Sequence, residues 1–262
     1  MSAEPRPVIG KPFHVDEIWL EDHAGLYSAD YWNDEGEEAS KEFNISSPDD
    51  QKLVDHMTAR GICSDVADAI HYLNGRQAPL DRVLDLAAGT CWLSAILSRE
   101  PNVRNIDAVE FSRHRIGKLA PNTILSFKGK PEKIRRIVGS FYDIKSPPNT
   151  YDAVFMSAAF HHADRVVDLI ASVKRVMKPG GCLVLIDELP ITVKRLIKRI
   201  VLTALRRKKL VLDYTELFPP DPELGDHYYL FSHYKLLLGG GGFDFERIPA
   251  RSGHFLAVAT KR

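Results

Sequence analysis

Cysteine is scarce in this sequence: Cys63, Cys91 and Cys182 stand far apart in 262 residues and never form a CxxC pair. That spacing excludes a zinc knuckle and a disulfide framework, and it fits a reducing compartment. Long apolar runs are lacking too. None approaches the ~20 residues a spanning helix needs, and the N-terminus has no apolar core of signal-peptide length. A soluble, cytoplasmic protein is expected. Net charge is absent, with thirty-five basic residues against thirty-five acidic ones. The chain as a whole therefore has no electrostatic attraction for nucleic acid, which is disfavoured as a partner. No internal repeat is visible, and no low-complexity tract beyond the glycines at 239–242.

The first eighty residues also lack strand patterns. They are polar, acidic and dotted with Trp19, Tyr27, Tyr31 and Trp32. Two helices are expected there, one capped near Ser47-Pro48 and one at Ser64. Leu53, Val54 and Met57 would share a face of the first, and Val66, Ile70 and Leu73 a face of the second. Residues 1–80 thus read as an N-terminal helical cap or lid.

What is present is ample apolar residue: 44% of the chain is hydrophobic and 27% charged, enough for one well-buried domain over residues 81–262. Short apolar runs predict strands at Arg82–Leu86, Ile106–Glu110, Ile134–Gly139, Ala153–Ser157 and Cys182–Asp187. Helical patterns at Trp92–Arg99 and Arg165–Met177 fall between them. This alternation means an α/β fold with a doubly wound, mostly parallel sheet. Phe243–Ile248 and His254–Thr260 add a C-terminal antiparallel hairpin, for seven strands in all.

The segment VLDLAAGTC (residues 83–91) reads as strand, small-residue loop and helix start. Ligands of open parallel sheets bind beyond the strands' carboxyl ends, where small residues let the backbone approach and the next helix offers free N–H groups. Asp85 is placed to accept hydrogen bonds from a ligand ammonium or from loop N–H groups. Glu110, ending the next strand, is placed to grip two ribose hydroxyls. A dinucleotide fingerprint would require a small residue where Trp92 stands. Small residues at every second position, Ala87, Gly89 and Cys91, describe the loop better.

VLDLAAGTC resembles motif I of class I S-adenosylmethionine-dependent methyltransferases, and IDAVEF resembles their second motif. GSFYDI with TYDAVFMSAAFHH, then VKRVMKPGGCLVLID and GGFDFERI, resemble the family's later motifs in order, so the match runs from about Arg82 to Arg262. The resemblance implies S-adenosyl-L-methionine as cofactor, with contacts from Asp85, Ala87, Gly89, Cys91, Glu110, Phe111, Ser140, Phe141 and Ser157. Cys91 stands where the family usually has glycine, and Ser140 where an Asp often holds the adenine amino group. The resemblance also makes the segment before motif I and an insertion at about 189–234 the lid and acceptor pocket.

Methyl transfer from a sulfonium expels a neutral leaving group, so a base is needed only for a protonated amine or a weakly acidic hydroxyl. His161 and His162 follow a strand at the expected mouth of the site and are candidate bases, as is His227. The alternative for the pair is that it caps or packs the loop. Asp187-Glu188 is also placed to face the acceptor. Adjacent histidines rarely both face one ion and no dication-binding carboxylate cluster is evident, so no metal is expected.

One charge contrast stands out. Asp16–Asp50 holds twelve acids and one Lys, whereas Lys194–Lys209 holds eight Lys and Arg and no acid. The basic stretch has an apolar stripe of Val193, Leu196, Ile197, Ile200 and Leu205, which reads as the next crossover helix of the sheet with a solvated outer face. Two sharper readings stand beside it: peripheral contact of 193–209 with an anionic acceptor or membrane surface, or docking against the acidic N-terminal segment. For function, the expectation is methylation of a small-molecule acceptor at O, N or C, of the natural-product, quinone, lipid or sugar class. Methylation of RNA or protein, and a catalytically inactive cofactor-binding scaffold, are the alternatives.

Overall fold

The computed structural model describes residues 14–20, 50–221 and 225–262. Tyr27, Tyr31, Trp32 and the Ser47-Pro48 cap lie outside them. Strands are β1 (Glu17–Ile18), β2 (Arg82–Leu86), β3 (Asn105–Glu110), β4 (Ile134–Val138), β5 (Tyr151–Ser157), β6 (Met177–Glu188), β7 (Phe243–Arg247) and β8 (Phe255–Lys261). They form one sheet in the order β1-β4-β3-β2-β5-β6-β8-β7. Pairing is parallel from β1 to β6, and β8 runs antiparallel to both β6 and β7.

Helices cover both faces. They are α1 (Asp50–Ala59), α2 (Ile62–Gly75), α3 (Trp92–Ser98), α4 (Ala120–Ser126, entered through a π-helical turn), α5 (Val166–Val176), α6 (Val193–Arg207), α7 (Tyr214–Leu217) and α8 (Phe231–Gly240). Successive strand residues point to opposite faces. Val83 accordingly packs with Leu53, Val66 and Leu93 in the layer under α1 to α4, while Leu84 packs with Leu169, Val173 and Leu238 in the layer under α5 and α8. Two such faces explain why these strands read as unbroken apolar runs. The cap helices are therefore part of the main core: Leu53, Met57, Val66, Ile70 and Leu73 are all buried, as their spacing predicts.

Among the described residues the sheet has eight strands where the sequence pattern predicts seven. β1 pairs with β4 at Glu17↔Ile137 and Ile18↔Val138. Asp16 accepts from the Arg136 N–H at 2.7 Å, and Glu17 pairs with Arg135 at 2.9 Å. Two residues are too few to show alternation, so no strand pattern exists there to read. Trp19 then packs over Gly139, where a Cβ would meet Val109 Cγ1 at 3.0 Å and Trp19 Cε3 at 3.2 Å. A side chain at 139 would press on both, so glycine suits that close approach. β6 also starts earlier than expected, at Met177, with a bulge opposite Tyr151 and Ala153 that absorbs the Pro179-Gly180-Gly181 turn.

A second correction concerns α6. It is a helix, started by Thr192, whose hydroxyl accepts from the Arg195 N–H at 3.2 Å, but it is no crossover helix on the sheet: none of its residues is buried. Of the expected stripe, Leu196 and Ile200 rest on a small satellite cluster of Ile191, Val211, Leu217 and Phe218, while Val193, Ile197 and Leu205 are exposed. The physical reason is occupancy. α8 fills the sheet face that the crossover helix would cover, burying Tyr234 and Leu238 in that layer. Among the described residues no helix is long and apolar enough to cross a membrane.

Candidate active site

Beyond the carboxyl ends of β2, β3 and β5 lies a cavity of about 400 Å³. Its floor is the loop after β2. Ala87, Gly89 and Cys91 all have positive φ, at +59°, +54° and +63°. Every second residue of the loop is thus left-handed, which is why the sequence shows small residues at that spacing. The Cys91 N–H donates to the Ala88 carbonyl at 2.8 Å and closes the turn into α3. Trp92 lies against Phe127, with ring centroids 6.3 Å apart, and occupies space a dinucleotide fold keeps for close helix packing.

Glu110 closes β3, is buried, and turns its carboxylate to this loop. Its Oε2 accepts from the Gly89 N–H at 2.8 Å and its Oε1 from the Ser112 N–H at 2.9 Å. Phe111, Ser140, Phe141, Ser157, Ala87 and Gly89 line the same cavity. These residues fit a nucleoside: a carboxylate for ribose hydroxyls, a glycine at the cavity wall, and two aromatic faces beside a serine. Two expected contacts do not reach the cavity wall. Cys91 is fully buried as the first residue of the helix turn. Asp85 is buried behind the loop and accepts from Ser94 Oγ at 2.6 Å, so it fastens α3 to β2 rather than presenting itself to a ligand. Burial pushes its carboxyl up to about 7, against the pull of Ser94 and with some help from Glu110.

At the opposite end, β5 leads into a 3-10 turn, Phe160–His162, that delivers both histidines to the cavity. His161 Nδ1 lies 2.8 Å from Glu188 Oε2. Glu188 is buried, and its other oxygen accepts the N–H groups of Ala159 (2.9 Å) and Phe160 (2.8 Å); Tyr234 Oη donates to Oε2 at 3.1 Å. The expectation that Glu188 faces the acceptor is therefore corrected: it stands behind His161 and orients it. Asp187 does reach the cavity and pairs with Arg60, in the turn after α1, at 3.1 Å.

Asp226, which sequence reasoning missed, completes the cluster. Its Oδ1 lies 2.9 Å from His162 Nδ1 and 3.8 Å from His161 Nε2. The adjacent histidines, not expected to face one ion together, both approach this one carboxylate. Their donor atoms and the Asp226 oxygen lie within 4.8 Å of one another, close enough to share a proton or a divalent cation. Asp226 comes from the segment between α7 and α8, and no local pattern marks it; its only signal is its place beside His227 in the expected acceptor region. His227 itself does not line the cavity. Its N–H donates to the His161 carbonyl at 2.8 Å, and burial lowers its pKa. Burial alone would also lower His161, but the Glu188 charge and hydrogen bond, helped by Asp226 and Asp187, hold it above the usual imidazole value. Burial would raise Glu188, yet His161 and the two backbone N–H groups hold it low.

A methyltransferase-domain family model matches residues 84–185. No curated protein matches the sequence. Among solved structures, a SAM-dependent methyltransferase from Aquifex aeolicus is 19% identical, over 84% of this chain and 98% of that chain, with a TM-score of 0.54. An S-adenosylmethionine-dependent methyltransferase, described as putative, from Methanococcus maripaludis is 18% identical over 82% and 94%, with a TM-score of 0.53. The methyltransferase in a complex with the Trm112 methyltransferase activator of Haloferax volcanii is 15% identical over 82% and 95%, at 0.54. At these identities the structures show a shared fold, and the sequence match supplies the domain. Residues 84–185 are thus a methyltransferase domain on the fold of S-adenosylmethionine-dependent methyltransferases, which makes the protein an enzyme and implies S-adenosylmethionine as its cofactor.

Proposed function

We propose that the enzyme methylates a small molecule bearing a weakly acidic hydroxyl or an amine, with His161 as the base. The observation that carries this reading is one continuous cavity joining Gly89, Glu110 and Phe141 to His161, His162 and Asp226. At about 400 Å³ it is of small-molecule scale. Glu110, Phe111, Ser140 and Phe141 hold the cofactor, with Ala87, Gly89 and Ser157 shaping its bed. When bound, S-adenosylmethionine supplies an electrophilic methyl on a leaving group that departs neutral.

The remaining work belongs to the chain. Glu188 fixes the His161 ring through Nδ1, which leaves Nε2 toward the cavity as the proton acceptor. Asp226 then stabilises the imidazolium that forms, and His162 holds Asp226 in place. Residues 1–80 act as the cap and 189–234 as the lid on the catalytic domain of 81–262; α1, α2 and the turn between them contribute His56, Met57, Arg60 and Ile62 to the cavity wall. Free Cys63, Cys91 and Cys182 suit a cytoplasmic enzyme.

The test is transfer of labelled methyl from S-adenosylmethionine to fractionated cell extract. Label in small-molecule fractions that is lost in His161→Ala supports the reading. Label confined to RNA or protein contradicts it, and cofactor binding with no labelled product from any fraction favours a scaffold. Activity surviving dialysis against a chelator is expected; activity lost there and restored by a divalent ion would turn the histidine–aspartate cluster into metal ligands.

A further inference from the structure

We propose that α6 is a docking helix that seats the enzyme on an anionic phospholipid bilayer. It runs for fifteen residues without burying one. Val193, Ile197, Val201 and Leu205 recur at intervals of four and so share one face. All four are exposed, from 50% at Val201 to 72% at Leu205, and Leu210 and Leu212 prolong the apolar surface beyond the helix end. A contiguous exposed apolar strip of this kind on a monomer marks an interaction surface.

Charge selects the occupant. Lys194–Lys209 holds eight cations and no acid, and Lys194 and Lys198 flank the apolar strip on the helix wheel. Apolar side chains with cations on their flanks match the boundary between acyl chains and anionic headgroups. Nucleic acid would satisfy the cations and leave the strip in water. A second copy would set cations against cations. Beside the strip, α6 and the segment after α7 border an open cleft of about 450 Å³ lined by Arg195, Lys198, Arg199, Phe218, Tyr228 and Asp221, with further apolar residues. Arg199 donates to the Leu217 carbonyl at 2.9 Å, and Arg195 and Lys198 on the same wall offer a seat for a lipid phosphate. Leu189, which lines the active-site cavity and is itself exposed, lies only four residues before α6, so the docked face adjoins the acceptor end of the site.

The experiment is sedimentation of the full chain with vesicles of phosphatidylcholine alone and of equal parts phosphatidylcholine and phosphatidylglycerol. The expected result is binding to the anionic vesicles only, weakened by salt and reduced at least about tenfold in Val201→Asp/Leu205→Asp and in Lys194→Glu/Lys198→Glu. Both double variants should keep wild-type affinity for S-adenosylhomocysteine, which reports folding; should the apolar variant fail that check, the charge variant decides. Failure to bind anionic vesicles, equal binding to neutral ones, or undiminished binding by the folded variants would overturn the proposal. So would concentration-dependent dimerisation abolished by Val201→Asp/Leu205→Asp, which would give the strip to a second copy. None of these outcomes depends on the acceptor's identity.

Discussion

His161 Nδ1 and Glu188 Oε2 meet at 2.8 Å across the end of β6, in a pair closed to water on the glutamate side. The contact joins a cavity-lining imidazole to a buried carboxylate whose other oxygen is held by two backbone N–H groups. A ring so fixed keeps its Nε2 on the cavity side, 3.8 Å from Asp226 Oδ1.

The pair sets a pH dependence. A base must be neutral to act, and His161 is held above its usual 6.5. Methyl transfer to an identified acceptor should therefore rise with pH through a value above 6.5. Glu188→Gln removes the raising charge, so the acid limb should move down in pH while the plateau falls roughly ten- to a hundredfold. A pH–rate profile of the two proteins checks this, and an unmoved limb would remove His161 from the role.

Asp85 sets another, in stability. Its folded value of about 7 lies above the usual 3.8, so the group favours the folded state while protonated and costs stability as pH rises between those values. By about 1.4 kcal/mol per unit, the cost is of the order of a few kcal/mol. Asp85→Asn can still accept from Ser94. Its advantage over wild type in urea unfolding should grow as pH rises through that window and then level off. A pH-independent difference would contradict the assignment.

The loop backbone gives a third expectation. Ala87 has φ +59°, which costs a non-glycine residue roughly 1–2 kcal/mol, against ~0.5–1 kcal/mol of extra chain entropy for glycine. Ala87→Gly should stabilise the cofactor-free protein by roughly 0.5–1 kcal/mol, visible as a melting shift of about 2 °C. A fall in melting temperature would mean that the Ala87 methyl packs more than the strain costs.

These residues also show what a sequence can carry. The alternation Ala87, Gly89, Cys91 is legible because left-handed backbone demands small side chains, and the sheet is legible because strands buried on both faces must be apolar throughout. Glu110 is legible from its place at a strand end. Asp85 has the same kind of place, but whether it meets a ligand or a helix depends on Ser94, nine residues later, and no local pattern decides that. Asp226 reaches His162 only through the path of the chain between α7 and α8. The hydrophobic spacing of α6 is plain in the sequence, yet that α8 would take its seat on the sheet is a fact of tertiary packing. β1 is simply too short to have a pattern.

The placement of the cofactor rests on Glu110, and calorimetric titration of S-adenosylhomocysteine into wild type and Glu110→Ala tests it most directly. Loss of the carboxylate should weaken binding by roughly 1–3 kcal/mol, five- to more than a hundredfold. Equal affinity in the two proteins would contradict the account and put the cofactor elsewhere.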